Sequence, residues 1–268
     1  MPRDTSPPPV SDLDPSLQSS ALERIGSFFF AWRNWVFSVA LIVVLAVFEP
    51  VPFRGEWGQD LWLDALGLGV TLFGQAIRIL VIGYTPIRSG GARKKVAAEA
   101  LHTTGLLNHV RNPLYVGNLL VTTGLALIHN HPYVYAVILP FTLFAYVAIV
   151  AAEEAFLRRQ FGAAYREYCR RVPRWLPRLR GMVRSLRQAQ FDGRRVMRQE
   201  YGSLWIALAF PLGLMLYERW GEPGAPNPAL WQGTLSLLLL LTTAAWAYLY
   251  LQKRADVARR GFGAAFKP

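Results

Sequence analysis

Tyr133–Ala152 reads YVYAVILPFTLFAYVAIVAA, twenty residues without one charged side chain, closed by Glu153-Glu154. An apolar run of about 20 residues is the length at which an α-helix crosses the hydrocarbon core of a bilayer. Working outward from it, five more apolar stretches stand out: Trp35–Val51, Leu61–Tyr84, Tyr115–Ile128, Tyr201–Tyr217 and Leu230–Leu251. In lipid a helix satisfies its own backbone polar groups, so the expected fold is all-α, a polytopic membrane helix bundle of about six transmembrane helices. The third and fifth stretches are short and should extend into the neighbouring polar residues. Pro140 and Pro211 fall inside helices and should kink them. Trp35, Trp57, Trp62, Tyr84, Tyr133, Tyr217, Trp220 and Trp231 gather at segment ends, as interfacial aromatic side chains do.

The formal charge of +12 would suit nucleic acid or an anionic membrane, and its placement decides. With the N-terminus inside, 26 of the 29 lysines and arginines fall on the cytosolic side, 13 of them between residues 153 and 200. Outer loops hold only Arg54 and Arg219, and Arg78 lies within the second span. This bias sets both termini in the cytosol. It also argues against nucleic acid, because the charges alternate with spans and form no single basic domain. Arginine outnumbers lysine, and alanine and leucine abound, which suits a GC-rich genome and a bacterial cytoplasmic membrane.

Three regions follow. Residues 1–24, polar and proline-rich, read as a disordered cytosolic tail. Residues 25–178 hold four spans with a cytosolic cap, and residues 179–268 an amphipathic linker helix and two further spans. Two cytosolic stretches carry helical spacing. The first is Leu157, Phe161, Ala164 or Tyr165, and Tyr168; the second is Leu179, Met182, Val183, Leu186 and Ala189, with Arg180, Arg184 and Arg187 turned away. Cys169 is the only cysteine, so neither an intrachain disulfide nor a cysteine zinc site can form. The four histidines are scattered, with His129 and His131 in a short outer turn, and no metal is expected.

Gly67-Leu68-Gly69 with Gly74 imitates a dinucleotide loop but lies inside a membrane helix, where small residues let helices approach closely. Arg78, inside a span, either serves function or snorkels to the cytosolic face. Glu153-Glu154 ends the fourth span. Adjacent carboxylates near apolar surface invite a proton or a cation such as a ligand ammonium, or else Glu154 pairs with Arg158 one turn on. Arg111-Asn112-Pro113-Leu114-Tyr115 opens the third span. Pro113 suits the first helical turn, and free backbone N–H groups beside Arg111 would favour a carboxylate. Together the two sites suit a zwitterionic amino-acid moiety.

The run from Leu101 to Gly117 resembles the isoprenylcysteine carboxyl methyltransferases and phospholipid N-methyltransferases, whose signature is Arg-His-Pro-x-Tyr-x-Gly. Further on these carry Glu-Glu, then Phe-Gly-x-x-Tyr-x-x-Tyr and Val-Pro-x-x-x-Pro. Here those are Glu153-Glu154, Phe161-Gly162 with Tyr165 and Tyr168, and Val172-Pro173 with Pro177. The likeness covers roughly residues 65 to 178. It implies an S-adenosylmethionine pocket on the cytosolic face, with lateral access for a lipid-like substrate. Carried over by position, Leu101, His102 and Leu107 would line the nucleoside; Asn112, Pro113, Leu114 and Tyr115 would hold the methionine portion; Glu153 or Glu154 would bind its ammonium. Gly67 and Gly69 match a glycine pair ascribed to the cofactor site. Two positions depart from the pattern. The signature histidine is Asn112, as in the phosphatidylethanolamine branch. Ile149 stands where the isoprenylcysteine enzymes have an arginine for the substrate carboxylate, a role Arg78 could take.

The expected activity is methyl transfer from S-adenosylmethionine to a phospholipid amine or prenylcysteine-type group. A lipid amine must lose a proton, and Glu154 or His109 could take it. The alternative is a non-catalytic membrane protein that keeps the pocket as a sensor or assembly surface.

Overall fold

The computed structural model describes residues 20–51, 57–85, 101, 103, 105–218 and 227–265. Six long helices and one short one carry the fold: α1 (Ala21–Val47), α2 (Trp57–Tyr84), α3 (Pro113–His129), α4 (Leu139–Arg171), α5 (Met182–Gln188), α6 (Gly193–Glu218) and α7 (Pro228–Ala265). Among the described residues, four helices are long and apolar enough to cross a membrane: Asp60–Tyr84, Val134–Arg171, Gly193–Glu218 and Pro228–Ala255. The apolar α3 is shorter, at 17 residues. The protein is a polytopic helical membrane bundle. Most of the expected 1–24 tail lies outside the described residues, and α1 starts at Ala21, where the Ser20 hydroxyl accepts the Glu23 N–H at 3.2 Å.

The long helices stand in the order α1, α4, α3, α2, α6, α7, and α6 also meets α3. The centre of this row is the α2–α3 contact, and glycine makes it possible. A Cβ on Gly67 would lie 2.7 Å from the Gly124 carbonyl oxygen, and one on Gly74 would lie 2.6 Å from that of Gly117. Two glycines seven residues apart on each helix therefore bring the backbones into contact. Gly69 has open space around its missing side chain.

The two prolines behave differently. Residues Val134–Ile138 form a π-helical turn, and the Leu139 N–H reaches the Val134 carbonyl. Pro140 follows at the start of α4, where its absent N–H breaks no α-helical bond, so the expected mid-helix kink is a π-to-α junction instead. Pro211 is buried inside α6. The sharp break in α4 is at Gly162, whose φ of 50° and ψ of −119° suit glycine alone. Past that break α4 turns Tyr165 and Tyr168 inward against Val172, with Leu101 packed on them. The expected first cytosolic helix is thus the end of α4. The second is α5, with Leu179 and Val183 exposed.

The glycine contact predicts a sharp contrast. A Cβ on Gly124 would sit 2.2 Å from the Thr71 hydroxyl oxygen and 2.4 Å from the Gly67 carbonyl oxygen. Gly124→Ala should therefore cost about 1–3 kcal/mol through overpacking, read as a lowered thermal midpoint in detergent. Gly69→Ala should leave the midpoint unchanged.

Candidate active site at the start of α3 and the middle of α4

Pro113 caps the turn into α3, while Asn112 gives that helix no side-chain cap. Its Nδ2 instead donates to the Arg174 carbonyl at 3.2 Å. The chain before α3 is stitched to the chain after α4: the Arg111 N–H donates to the Pro173 carbonyl at 2.9 Å and the Arg178 N–H to the His109 carbonyl at 3.0 Å. The Tyr168 hydroxyl donates to the Leu107 carbonyl at 2.7 Å. These bonds hold the run from Leu107 to Tyr115 against α4, where Tyr115 meets Glu153 and Arg111 meets Glu154, while Leu101 packs on Tyr165 and Tyr168. His102 lies outside the described residues.

The two glutamates have different environments. Glu154, with a side chain 2% exposed, receives three guanidiniums: Arg111 Nη1 at 2.9 Å, Arg158 Nη2 at 3.1 Å and Arg174 Nη2 at 2.5 Å. Arg174 Nε adds a fourth bond at 3.0 Å. Hydrogen bonding to Glu154 holds the Arg174 guanidinium above its usual pKa. The expected Arg158 pair is present, but an ammonium ligand or a transferred proton would have to displace an arginine. Arg111 is likewise committed, since its Nη1 also reaches Cys169 Sγ at 2.9 Å. Glu153, partly buried, accepts the Tyr115 hydroxyl at 2.9 Å and forms no ion pair among the described residues. Consecutive helical residues point about 100° apart, which is how one carboxylate is clamped and its neighbour is not.

His109, expected as a candidate base, has both ring nitrogens engaged. It is 5% exposed, with Nδ1 at 2.8 Å from the Arg178 carbonyl and Nε2 at 2.9 Å from the Ser185 hydroxyl. A carbonyl only accepts, so Nδ1 carries a proton, and Nε2 is engaged by the Ser185 hydroxyl. Both nitrogens are used in clasping the linker that leads into α5.

Arg78 does not snorkel. Its Nε and Nη2 form a fork on Glu200 of α6, each at 2.9 Å, and Nη1 donates to the Asn118 side-chain oxygen on α3. Ser203 donates to the same Glu200 carboxylate at 2.5 Å and Gln75 approaches it at 3.4 Å. Arg78 therefore ties α2 to both α6 and α3. Gly67 packs on Gly124, and Gly67 and Gly69 lie roughly 15 Å along α2 from Arg78, so neither joins the site.

Sequence reading missed Arg174 and Glu200. Arg174 had a signal, its place directly after Val172-Pro173. Glu200 had a weaker one, as the last acid before the fifth apolar stretch. Removing one member of a buried pair leaves the other charge stranded, at about 3–5 kcal/mol. Glu200→Ala and Arg78→Ala should each lower the thermal midpoint strongly, and the double variant should lose less than the two losses added. Additive losses would contradict the pairing.

Three comparisons with known proteins bear on this geometry. The phospholipid methyltransferase family model matches residues 65–164, the segment from α2 to the break in α4. The cobalt-zinc-cadmium resistance protein CzcN of Cupriavidus metallidurans is 31% identical over 173 residues, 63% of this chain and 74% of that protein. Protein-S-isoprenylcysteine O-methyltransferase B of Arabidopsis thaliana is 29% identical, over 51% of this chain and 71% of that protein. The nickel-cobalt-cadmium resistance protein NccN of Alcaligenes xylosoxydans xylosoxydans is 26% identical, over 60% and 71%. No solved structure matches. With the signature run at the start of α3 and the paired glutamates facing it from α4, the chain belongs to the isoprenylcysteine carboxyl methyltransferase and phospholipid methyltransferase family of integral membrane proteins.

Proposed function

We propose that this chain is an S-adenosylmethionine-dependent methyltransferase acting on a lipid-like acceptor held in the membrane, a phospholipid amine or a prenylcysteine-type group. The observation that carries the reading is Glu153, a partly buried carboxylate with the Tyr115 hydroxyl at 2.9 Å and no ion pair among the described residues, beside the uncapped start of α3. That combination fits an amino-acid zwitterion: Glu153 takes the ammonium, and the first N–H groups of α3 take the carboxylate. Asn112, Pro113, Leu114 and Tyr115 hold the methionine portion, and Leu101, Leu107 and His102 line the nucleoside side. Glu154 acts through its arginines, fixing the wall of the pocket. The basic loops and both termini face the cytosol, and residues 25–178 form the working core.

S-adenosylmethionine, when bound, supplies a methyl group on a sulfonium, which passes to the acceptor's lone pair while the carbon–sulfur electrons return to sulfur. The chain's part is to align the acceptor and exclude water. A carboxylate or a neutral amine needs no base. An ammonium must first lose a proton, which Glu154 could accept only by releasing a guanidinium.

A second reading, a non-catalytic sensor or assembly surface, is favoured by one observation: Glu154 and His109, both expected to be chemically active, are consumed by internal bonds. Two relatives named for metal resistance suit either reading.

Calorimetry with S-adenosylmethionine tests the site. Glu153→Gln and Tyr115→Ala should each weaken binding tenfold or more, about 1.4 kcal/mol, and full binding by both would sink the assignment. Transfer of a radiolabelled methyl group into total membrane lipid separates the readings: label in a lipid species supports the enzyme, and binding without transfer supports the sensor.

A further inference from the structure

Helix α1 lies outside the segment that the family model matches, yet it reaches the candidate site. It lies against α4 so closely that a Cβ on Gly26 would fall 1.9 Å from the Ala148 carbonyl oxygen. One turn on, Phe30 is buried with Tyr146 and Ile149, and Tyr115 packs against that group. Arg33 follows on the same face. Its guanidinium carbon sits 4.6 Å from the Phe30 ring centroid, and its Nη1 donates to the Phe30 carbonyl at 3.2 Å. From there the charge acts through space on Tyr115, Tyr146 and Glu153.

Arg33 differs from the other arginines around the site. Arg78, Arg111, Arg158 and Arg174 each hold a glutamate. Arg33 forms no ion pair among the described residues, and one backbone carbonyl accounts for a single donor of its five. It is also partly buried. Glu23, which pairs with a half-exposed Arg159, is ten residues back, roughly 15 Å along the helix axis. A partly buried guanidinium with open donors is a ready partner for an anion.

We propose that Arg33 is the anion-binding residue for the methyl acceptor, taking the phosphate or carboxylate of a membrane amphiphile that enters beside α1. The planar guanidinium grips either group with two parallel hydrogen bonds. Two observations favour the acceptor over the cofactor as the source of that anion. In the proposed site the cofactor's carboxylate lies at the first N–H groups of α3, whereas Arg33 sits over the ring packed on Tyr146, seven residues before Glu153 on α4 and so roughly 10 Å from Glu153 along that helix. The outer face of α1 is open to lipid: Trp32, Trp35, Val39 and Val43 are all exposed. An acceptor anchored there would turn its reactive group toward Tyr115 and Glu153.

The word acceptor rests on the methyl-transfer reading, but the binding site does not, and the test separates them. The full chain in neutral detergent is titrated with dodecyl phosphate, dodecanoate and dodecanol, followed by tryptophan fluorescence, and in parallel with S-adenosylmethionine by calorimetry. Wild type should prefer at least one anion over dodecanol tenfold or more, and whichever anion is preferred tells a phosphate-bearing acceptor from a carboxylate-bearing one. Arg33→Met should abolish that preference and leave S-adenosylmethionine binding unchanged, and Arg33→Lys should restore part of the preference. The proposal is overturned if wild type shows no preference, if Arg33→Met keeps it, if Arg33→Lys restores none of it, or if Arg33→Met weakens cofactor binding instead. An Arg33-dependent preference in a chain that binds no S-adenosylmethionine would defeat the methyl-transfer reading and leave the anion site standing.

Discussion

The carboxylate of Glu154 is the point on which one end of this bundle depends. It is buried in the middle of α4, where an uncompensated negative charge would cost several kcal/mol. Its compensation comes from three stretches of chain: Arg111 before α3, Arg158 one turn along α4, and Arg174 after α4. Neutralising one charge thus sets the relative position of all three. The backbone bonds from Arg111 to Pro173 and from Arg178 to His109 run parallel to this clamp, and the His109 ring extends it to Ser185. Gly162 makes the return path possible, since only its backbone conformation lets α4 break and fold Tyr165 and Tyr168 back over the loop.

The clamp also explains why two neighbouring glutamates do different work. With Glu154 held by three arginines, Glu153 is left with the Tyr115 hydroxyl from α3, which is why the proposed site gives the ligand cation to Glu153. A site of this kind keeps its structural charge and its working charge on adjacent residues, so the rigid one positions the other. Arg33 and Arg78 repeat the division. Both lie near Tyr146, but Arg78 is consumed by Glu200 and Asn118, whereas Arg33 has, among the described residues, a ring and a carbonyl.

The Arg78–Glu200 pair gives the last two long helices a place. α6 is tied to α2 by that pair and by the Gln75 and Ser203 contacts around it, and α7 is held to α6 through Trp205, Trp246 and Thr243. Few of the residues in α7 are buried, and most of its apolar surface faces outward, as expected of a helix whose second neighbour is lipid.

The sequence by itself determined that the chain is a bundle of long apolar helices, because an apolar run of bilayer length has one low-energy structure in lipid; the helix ends were not fixed, since α1 starts at Ala21, fourteen residues before the apolar run at Trp35. It also determined which residues gather at the start of α3, because their motifs are local and ordered along the chain. Which of those residues are available was decided only by the tertiary structure. That Glu154 is clamped while Glu153 is not, that His109 is a clasp, and that Arg78 pairs with a glutamate 122 residues away all depend on partners distant in sequence. A charge inside a bundle takes whichever opposite charge the packing brings near, and helical periodicity carries no record of that choice. Arg33 shows the converse: sequence only counted it among the cytosolic charges, and the fold sets it beside the Phe30 ring with no ion pair among the described residues.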